Sequence, residues 1–200
     1  MADLFTEKAQ DWDANQMVLQ LSSAIGSSIL KHVPLHSQMQ VLDFGAGTGL
    51  ICSQIAPRVN KVVAVDISAA MLDKLISKQE LQSKVEAVCQ DITTTPLDGR
   101  FDLIVSAMAM HHVENTEQLF ASFAQHLNSN GKLALADLDK EDGTFHPEDI
   151  EGVYHLGFER EKLQSIMEKK GFGDIEFVTA HTVDKGKKQY PVFLVTAVKQ

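Results

Sequence analysis

Short apolar runs alternate with amphipathic helical patterns along this chain, and this alternation is the feature that most constrains its fold. The apolar runs are rich in Val, Ile, Leu and Ala and are bounded by Gly, Pro, Asp or Asn. They cover residues 40–44, 61–65, 85–89, 101–106, 132–136, 175–179 and 191–198. Because continuous apolar runs of this length are typical of strands buried on both faces, they predict a largely parallel sheet.

The segments between the runs carry apolar residues at helical spacing. An opening helix is predicted at about 15–32, and later helices follow Ser68 and Asn115 or Thr116, which are good N-caps. The resulting order predicts an α/β fold: a Rossmann-like, doubly wound, seven-stranded sheet with helices on both faces. Residues 184–188 are too few for a crossover helix, so the last two strands should form a hairpin and the C-terminal strand should be antiparallel.

The composition narrows the class of protein. A formal net charge of −9 argues against a nucleic-acid partner and against binding to an anionic membrane. No run approaches the roughly 18 apolar residues of a membrane span. The two cysteines, Cys52 and Cys89, lie far apart and predict neither a disulfide framework nor a zinc site. We therefore expect one soluble, cytoplasmic domain over residues 1–200, with residues 1–38 as an N-terminal helical cap.

The strongest motif is Val-Leu-Asp-Phe-Gly-Ala-Gly-Thr-Gly-Leu at 41–50. Its glycines permit positive φ angles and a close approach of backbone to a ligand, and the helix that follows presents unpaired N–H groups. A dinucleotide-binding fingerprint would have its third glycine at the position of Leu50. Asp43 would also repel a pyrophosphate and attract an ammonium group.

A second acid, Asp66, ends the second strand 21 residues after Gly45. An acid at this place can accept hydrogen bonds from both hydroxyls of a ribose, which we favour because the glycine motif precedes it. The alternative is an aspartate that only initiates the next helix.

From about residue 40 to 136 the chain resembles the class I S-adenosylmethionine-dependent methyltransferases, in particular their small-molecule, methyltransferase-11-like branch. The resemblance implies S-adenosylmethionine as cofactor. It implies contacts with the methionine moiety from Asp43, Gly45, Ala46, Gly47, Thr48 and Gly49, with the ribose from Asp66, and with the adenine from Ile67, Asp91 and Ile92. Ala107 would touch the cofactor through its backbone, and Trp12 would close over it. Asp91 could instead be a turn residue, and Trp12 a packing residue.

The fourth strand runs into Ala-Met-Ala-Met-His-His, which resembles the same branch of the family. The resemblance implies that His111 or His112 lies near the transferred methyl group. Either could act as a general base, because imidazole titrates near neutral pH, or could merely orient a loop. We predict no metal site, because Ala107 and Met108 stand where metal-dependent members carry an acid and no zinc spacing is present. Asp137 and Asp139, after the fifth strand, could form only half of such a site.

The function expected from these motifs is methyl transfer from S-adenosylmethionine to a small molecule. Most of the 200 residues are taken up by the predicted sheet and its helices, which favours a small substrate over a macromolecule. A non-catalytic S-adenosylmethionine-binding module and a nucleotide-dependent oxidoreductase remain as alternatives. The long acidic stretch at 137–159 is interpreted either as a lid over the carboxyl ends of the strands or as a solvated excursion.

Overall fold

The structure is a computed structural model and describes residues 5–147 and 151–200. The α-helices of this part are α1 (Thr6–Ala9), α2 (Gln16–His32), α3 (Leu50–Ile55), α4 (Ala69–Ile76), α5 (Thr116–His126) and α6 (Arg160–Lys169). The strands are β1 (Gln40–Phe44), β2 (Lys61–Asp66), β3 (Val85–Cys89), β4 (Phe101–Ala107), β5 (Leu127–Leu138), β6 (Phe172–Lys185) and β7 (Lys188–Lys199). Short 3-10 turns lie at Trp12–Ala14, Ala56–Arg58 and Met110–His112.

The seven strands form one sheet in the order β3-β2-β1-β4-β5-β7-β6. Strands β1 to β5 pair in parallel, and β7 lies antiparallel between β5 and β6. This arrangement confirms the predicted doubly wound sheet with an antiparallel C-terminal strand. Strand β5 begins earlier than predicted, because Leu127 already pairs with Phe101 and the polar residues that follow form an irregularity within the strand. The strand order reverses between β1 and β4, where ligands bind in open α/β sheets.

Side chains alternate between the two faces of the sheet and build a core on each. One core holds Val41 with apolar residues of α2, α3 and α4. The other holds Leu42 with apolar residues of α5 and α6, including Phe120 and Met167. Helices therefore cover both faces of the sheet, as the near-continuous apolar strands predict.

Polar caps fix where three of the helices begin. The side chain of Asn15 accepts a hydrogen bond from Met17 N, that of Ser68 from Met71 N, and that of Asn115 from Gln118 N. These caps satisfy backbone N–H groups that have no partner within the helix. The predicted start of each helix is confirmed.

Two peripheral segments lie at the carboxyl ends of the parallel strands. Residues 137 and 138 still belong to β5, so the irregular segment begins at Asp139, two residues later than predicted. Backbone hydrogen bonds of 2.9–3.0 Å then join Lys140 to Phe158 and Glu141 to Leu156. Glu148 and Asp149, which belong to the predicted acidic lid, lie outside the described residues. At the other end of the chain, α1 packs against α4.

No helix within residues 5–147 and 151–200 combines the length and apolar character needed to cross a bilayer.

Candidate active site

The loop after β1 is built on three glycines in the left-handed region. Their φ angles are 66° at Gly45, 53° at Gly47 and 83° at Gly49, the last of which caps α3. The backbone N–H groups of Gly45 and Ala46 donate to Val65 O at 2.8 and 3.0 Å. A Cβ on Gly45 would lie 2.3 Å from the Cβ of Ala109, so this position excludes side chains by both conformation and space.

The carboxylate of Asp66 joins this glycine loop to the end of β2. Its Oδ2 accepts a hydrogen bond from Gly47 N, and its Oδ1 accepts one from Ser68 N, each at 2.8 Å. A carboxylate offers about four lone-pair positions, so these two bonds are compatible with donors from a ribose. The two motifs singled out in the sequence therefore meet in one place.

Asp43 lies beneath the loop and is only 1% exposed. Burial raises the pKa of its carboxyl to about 7, while a hydrogen bond from the thiol of Cys52 (3.0 Å) opposes this shift. The neighbouring charge of Asp66 adds to the increase in pKa. A buried acid with this pKa gains from a cation nearby, because the cation stabilises its ionised form.

The residues predicted to contact the adenine have different environments. Ile67 follows Asp66 and is 68% exposed, whereas Ile92 is buried in the core between the sheet and α5 and α6. Asp91 is exposed, and its side chain accepts hydrogen bonds from Thr93 N and Oγ1 at 2.8 and 2.6 Å. This is the turn geometry named as its alternative role. Ala107, at the end of β4, is half-buried.

His111 and His112 lie in the 3-10 turn after β4. His111 is 1% exposed, and its Nδ1 lies 2.8 Å from Oδ1 of the fully buried Asp137, the acid near the end of β5. His112 Nδ1 lies 2.6 Å from the carbonyl of Gly152, so this nitrogen is the donor. The two ring centroids are 4.1 Å apart. Burial lowers the pKa of His112 to about 4, and the neighbouring His111 adds to this effect.

His146, from the irregular segment, completes a group of three imidazoles. Its ring centroid lies 5.1 Å from that of His111 and 6.3 Å from that of His112. Its Nε2 is buried and has no hydrogen-bond partner among the described residues. Burial, together with the neighbouring His111 and His112, lowers the pKa of His146 to about 4.

Neither the pairing of Asp137 with His111 nor a site role for His146 was predicted from the sequence. One signal for Asp137 was available: it is a lone acid in the apolar run Leu-Ala-Leu-Ala-Asp-Leu. An acid within a buried strand implies a partner, since an unpaired buried charge is costly. No local pattern linked His146 to the other histidines.

The segment before α2 lies against both the glycine loop and the histidines. Asp13 Oδ1 accepts a hydrogen bond from Thr48 Oγ1 at 2.5 Å, and its Oδ2 pairs with Lys78 at 2.7 Å. The ring of Phe5 makes edge contacts with Trp12 and His112, at centroid distances of 6.3 and 5.4 Å. Trp12 therefore lies on this side of the molecule, and its closure over the cofactor stays a prediction. Phe5 and Asp13 lie here as well and were not predicted as site residues.

No group of three or more His, Cys, Asp or Glu side chains within residues 5–147 and 151–200 is arranged to hold a metal ion.

Solved structures with this arrangement of strands identify the fold class. The YcgJ protein of Bacillus subtilis superposes with a TM-score of 0.72 at 16% identity, over 89% of this chain and 98% of its own. Phosphoethanolamine N-methyltransferase 2 of Haemonchus contortus, in complex with S-adenosyl-L-methionine, superposes with a TM-score of 0.71 at 18% identity. That match covers 98% of this chain and 60% of the nematode chain. At these identities the likeness establishes a Rossmann-like methyltransferase fold.

Sequence comparison also finds similarity to methyltransferases. Residues 41–131 match the model of a methyltransferase domain. An uncharacterised methyltransferase of Schizosaccharomyces pombe is 29% identical over 159 residues, which are 71% of this chain and 56% of the yeast protein. This chain thus spans little more than half the length of that relative. Over residues 41–131 the chain is therefore similar to methyltransferase domains.

Proposed function

We propose that this chain transfers the methyl group of S-adenosylmethionine to a small molecule, with the cofactor bound at the carboxyl ends of β1, β2 and β3. The observation that carries the proposal is the 2.8 Å hydrogen bond from Gly47 N to Asp66 Oδ2. This bond unites the glycine loop and the acid after β2 in a single site. The fold that this chain shares with a nematode methyltransferase solved with S-adenosylmethionine supports the same assignment.

The proposed contacts follow the length of the cofactor. The methionine end meets Asp43, Gly45, Ala46, Gly47, Thr48 and Gly49; the ribose meets Asp66; and the adenine meets Ile67, Asp91 and Ile92. Ala107 contributes its backbone, and Trp12 covers the site. The bound cofactor supplies a methyl group already activated on sulfur, so the protein's task is to bind and orient the reactants. Orientation alone can contribute about 7–11 kcal/mol.

The proposal of a small substrate is supported by the way the irregular segment covers the histidines. Tyr154 N and His155 N donate hydrogen bonds to His111 O at 3.0 and 3.2 Å, and His112 donates to Gly152 O. These bonds hold the segment over the turn that carries the candidate bases. A site covered in this way suits a compact acceptor, and either His111 or His112 could remove its proton.

Calorimetric titration with S-adenosylhomocysteine tests the proposal. Asp66→Ala should weaken binding by about 1–3 kcal/mol, because the ribose hydroxyls and two backbone N–H groups lose a charged acceptor. Asp102→Ala is the matched control: this strand aspartate also accepts two hydrogen bonds, from Gln40 N and Asn128 Nδ2, but lies at the amino ends of the strands. We expect no effect of this control on the affinity.

Three outcomes would contradict parts of the proposal. Absence of binding at millimolar S-adenosylhomocysteine would refute the cofactor assignment, and binding of NAD in its place would favour an oxidoreductase. Unchanged affinity in a folded Asp66→Ala variant would refute the ribose contact. Binding without methyl transfer to any member of a broad acceptor panel would indicate a non-catalytic binding module.

A further inference from the structure

We propose that His111 is the proton acceptor of the methylation reaction, that Asp137 positions it, and that His146 binds the acceptor molecule. This inference rests on the proposed function and specifies its substrate class: a neutral small molecule whose methylated oxygen or nitrogen carries a proton. The sequence motif does not distinguish His111 from His112, and it does not include Asp137 or His146.

His111 is paired with the buried carboxylate of Asp137. Asp137 Oδ1 lies 2.8 Å from His111 Nδ1 and also accepts a hydrogen bond from Leu138 N, while Oδ2 accepts one from His111 N at 3.2 Å. The carboxylate is therefore held in place by its surroundings, and both side chains are buried. A carboxylate that holds the Nδ1 proton leaves Nε2 as the acceptor and stabilises the imidazolium that forms.

His112 lacks this support. Its Nδ1 donates to a neutral carbonyl, that of Gly152, which offers a forming imidazolium far less stabilisation than a carboxylate does. Burial and the neighbouring His111 hold the pKa of His112 at about 4, and the charge of Lys8 acts in the same direction. His112 therefore stays neutral near pH 7 and packs against His111 without taking the proton.

His146 provides the contact for the acceptor molecule. Buried polar atoms nearly always have hydrogen-bond partners, and one that lacks a partner calls for an explanation such as a ligand. Within residues 5–147 and 151–200, His146 Nε2 is such an atom, on a ring 5.1 Å from His111. Its ring is also kept neutral, by burial, by the two neighbouring histidines and by Lys185, against the opposing charge of Asp137. Two neutral imidazoles and a buried carboxylate favour a neutral hydrogen-bonding substrate over an anion.

The proposed reaction balances without a further reagent. The acceptor oxygen or nitrogen forms a bond to the methyl carbon, the bond from that carbon to sulfur breaks, and the sulfur keeps the electron pair. The proton of the acceptor passes to His111 Nε2, next to the negative charge of Asp137. His111 later releases this proton to solvent, which restores the site.

The protonation of the His111 ring tests the inference without a known substrate. Nitrogen NMR of protein carrying 15N-labelled histidine, saturated with S-adenosylhomocysteine in neutral buffer, should show His111 protonated at Nδ1 and not at Nε2. In Asp137→Asn the amide can turn its NH2 group toward Nδ1, so the proton should move to Nε2. A wild-type ring protonated at both nitrogens would reveal a structural ion pair with Asp137. A ring protonated at Nε2 alone would leave that nitrogen unable to accept the substrate's proton. Either result would overturn the proposal.

Turnover provides the second readout, measured as S-adenosylhomocysteine release with a panel of phenols, alcohols and amines. Asp137→Asn should lower kcat by about 10²–10⁴-fold, the usual contribution of a general base, and change the affinity for S-adenosylhomocysteine less than twofold. His146→Phe should mainly raise KM for the acceptor. The matched control is Asp139→Asn, two residues after Asp137, which weakens the half-buried ion pair of Asp139 with Arg160.

The outcomes separate this inference from the proposed function. Wild-type binding of S-adenosylhomocysteine decides the cofactor assignment, whereas the ring protonation decides the role of His111. Full kcat in Asp137→Asn would overturn the positioning role. If no member of the panel is methylated, or if the variant fails to fold, the protonation state of the wild-type His111 ring still decides.

Discussion

Binding of the cofactor should depend on pH through Asp43, because this acid lies buried beneath the proposed methionine end of the cofactor. Without ligand, burial places the pKa of Asp43 at about 7. The ammonium group, which S-adenosylmethionine and S-adenosylhomocysteine share, would favour the ionised carboxylate, so binding should release a proton wherever the free protein holds one. Affinity should therefore fall as the pH decreases through 7.

The size of this effect follows from the pKa. With a pKa of about 7, roughly one tenth of the free protein carries an ionised Asp43 at pH 6 and roughly nine tenths at pH 8. If only the ionised form binds well, the Kd for S-adenosylhomocysteine should be about tenfold higher at pH 6 than at pH 8, which corresponds to about 1.4 kcal/mol of binding free energy. Calorimetry at pH 6 in two buffers of different ionisation enthalpy should report close to one proton released per ligand bound.

Two variants make the measurement specific. Asp43→Asn should remove most of the pH dependence and the proton release, whereas the exposed Asp98→Asn should leave both unchanged. The same raised pKa implies that the free protein loses stability as the pH rises from about 4 to about 7, since the folded state then holds a proton that the unfolded state has lost. A Kd that is equal at pH 6 and pH 8, with no proton released, would refute this reasoning.

Two further perturbations test the surroundings of the glycine loop. Gly45 and Gly186 share a φ of 66°, but only at Gly45 would an added Cβ lie within 2.3 Å of Ala109. Denaturant unfolding should show that Gly186→Ala lowers the free energy of unfolding by about 1–2 kcal/mol and that Gly45→Ala lowers it further. Equal losses of stability would contradict the steric argument. Asp13→Ala removes the carboxylate that accepts the hydrogen bond of Thr48 Oγ1. In stopped-flow measurements it should raise the dissociation rate of S-adenosylhomocysteine by about fivefold, which corresponds to about 1 kcal/mol. An unchanged rate would show that this contact does not retain the ligand.

The fold was predictable from the sequence because it depends on local patterns that few folds share. Near-continuous apolar strands alternating with capped amphipathic helices imply a parallel sheet covered on both faces. The short 184–188 connection likewise implied the antiparallel hairpin that β6 and β7 form. The glycine motif and Asp66 could be assigned to one edge, since the carboxyl ends of parallel strands share an edge.

The tertiary structure decided which side chains meet at that edge. Asp137, His111 and His146 come from three segments, and only the pairing of β4 with β5 and the folding-back of residues 139–147 bring them together. The pKa values of Asp43 and His112 depend on burial by distant parts of the chain, which cannot be predicted from the local sequence. The sequence by itself thus determined the architecture and the cofactor motif, whereas long-range packing decided the chemistry of the histidines, because desolvation and ion pairing are properties of neighbours in space.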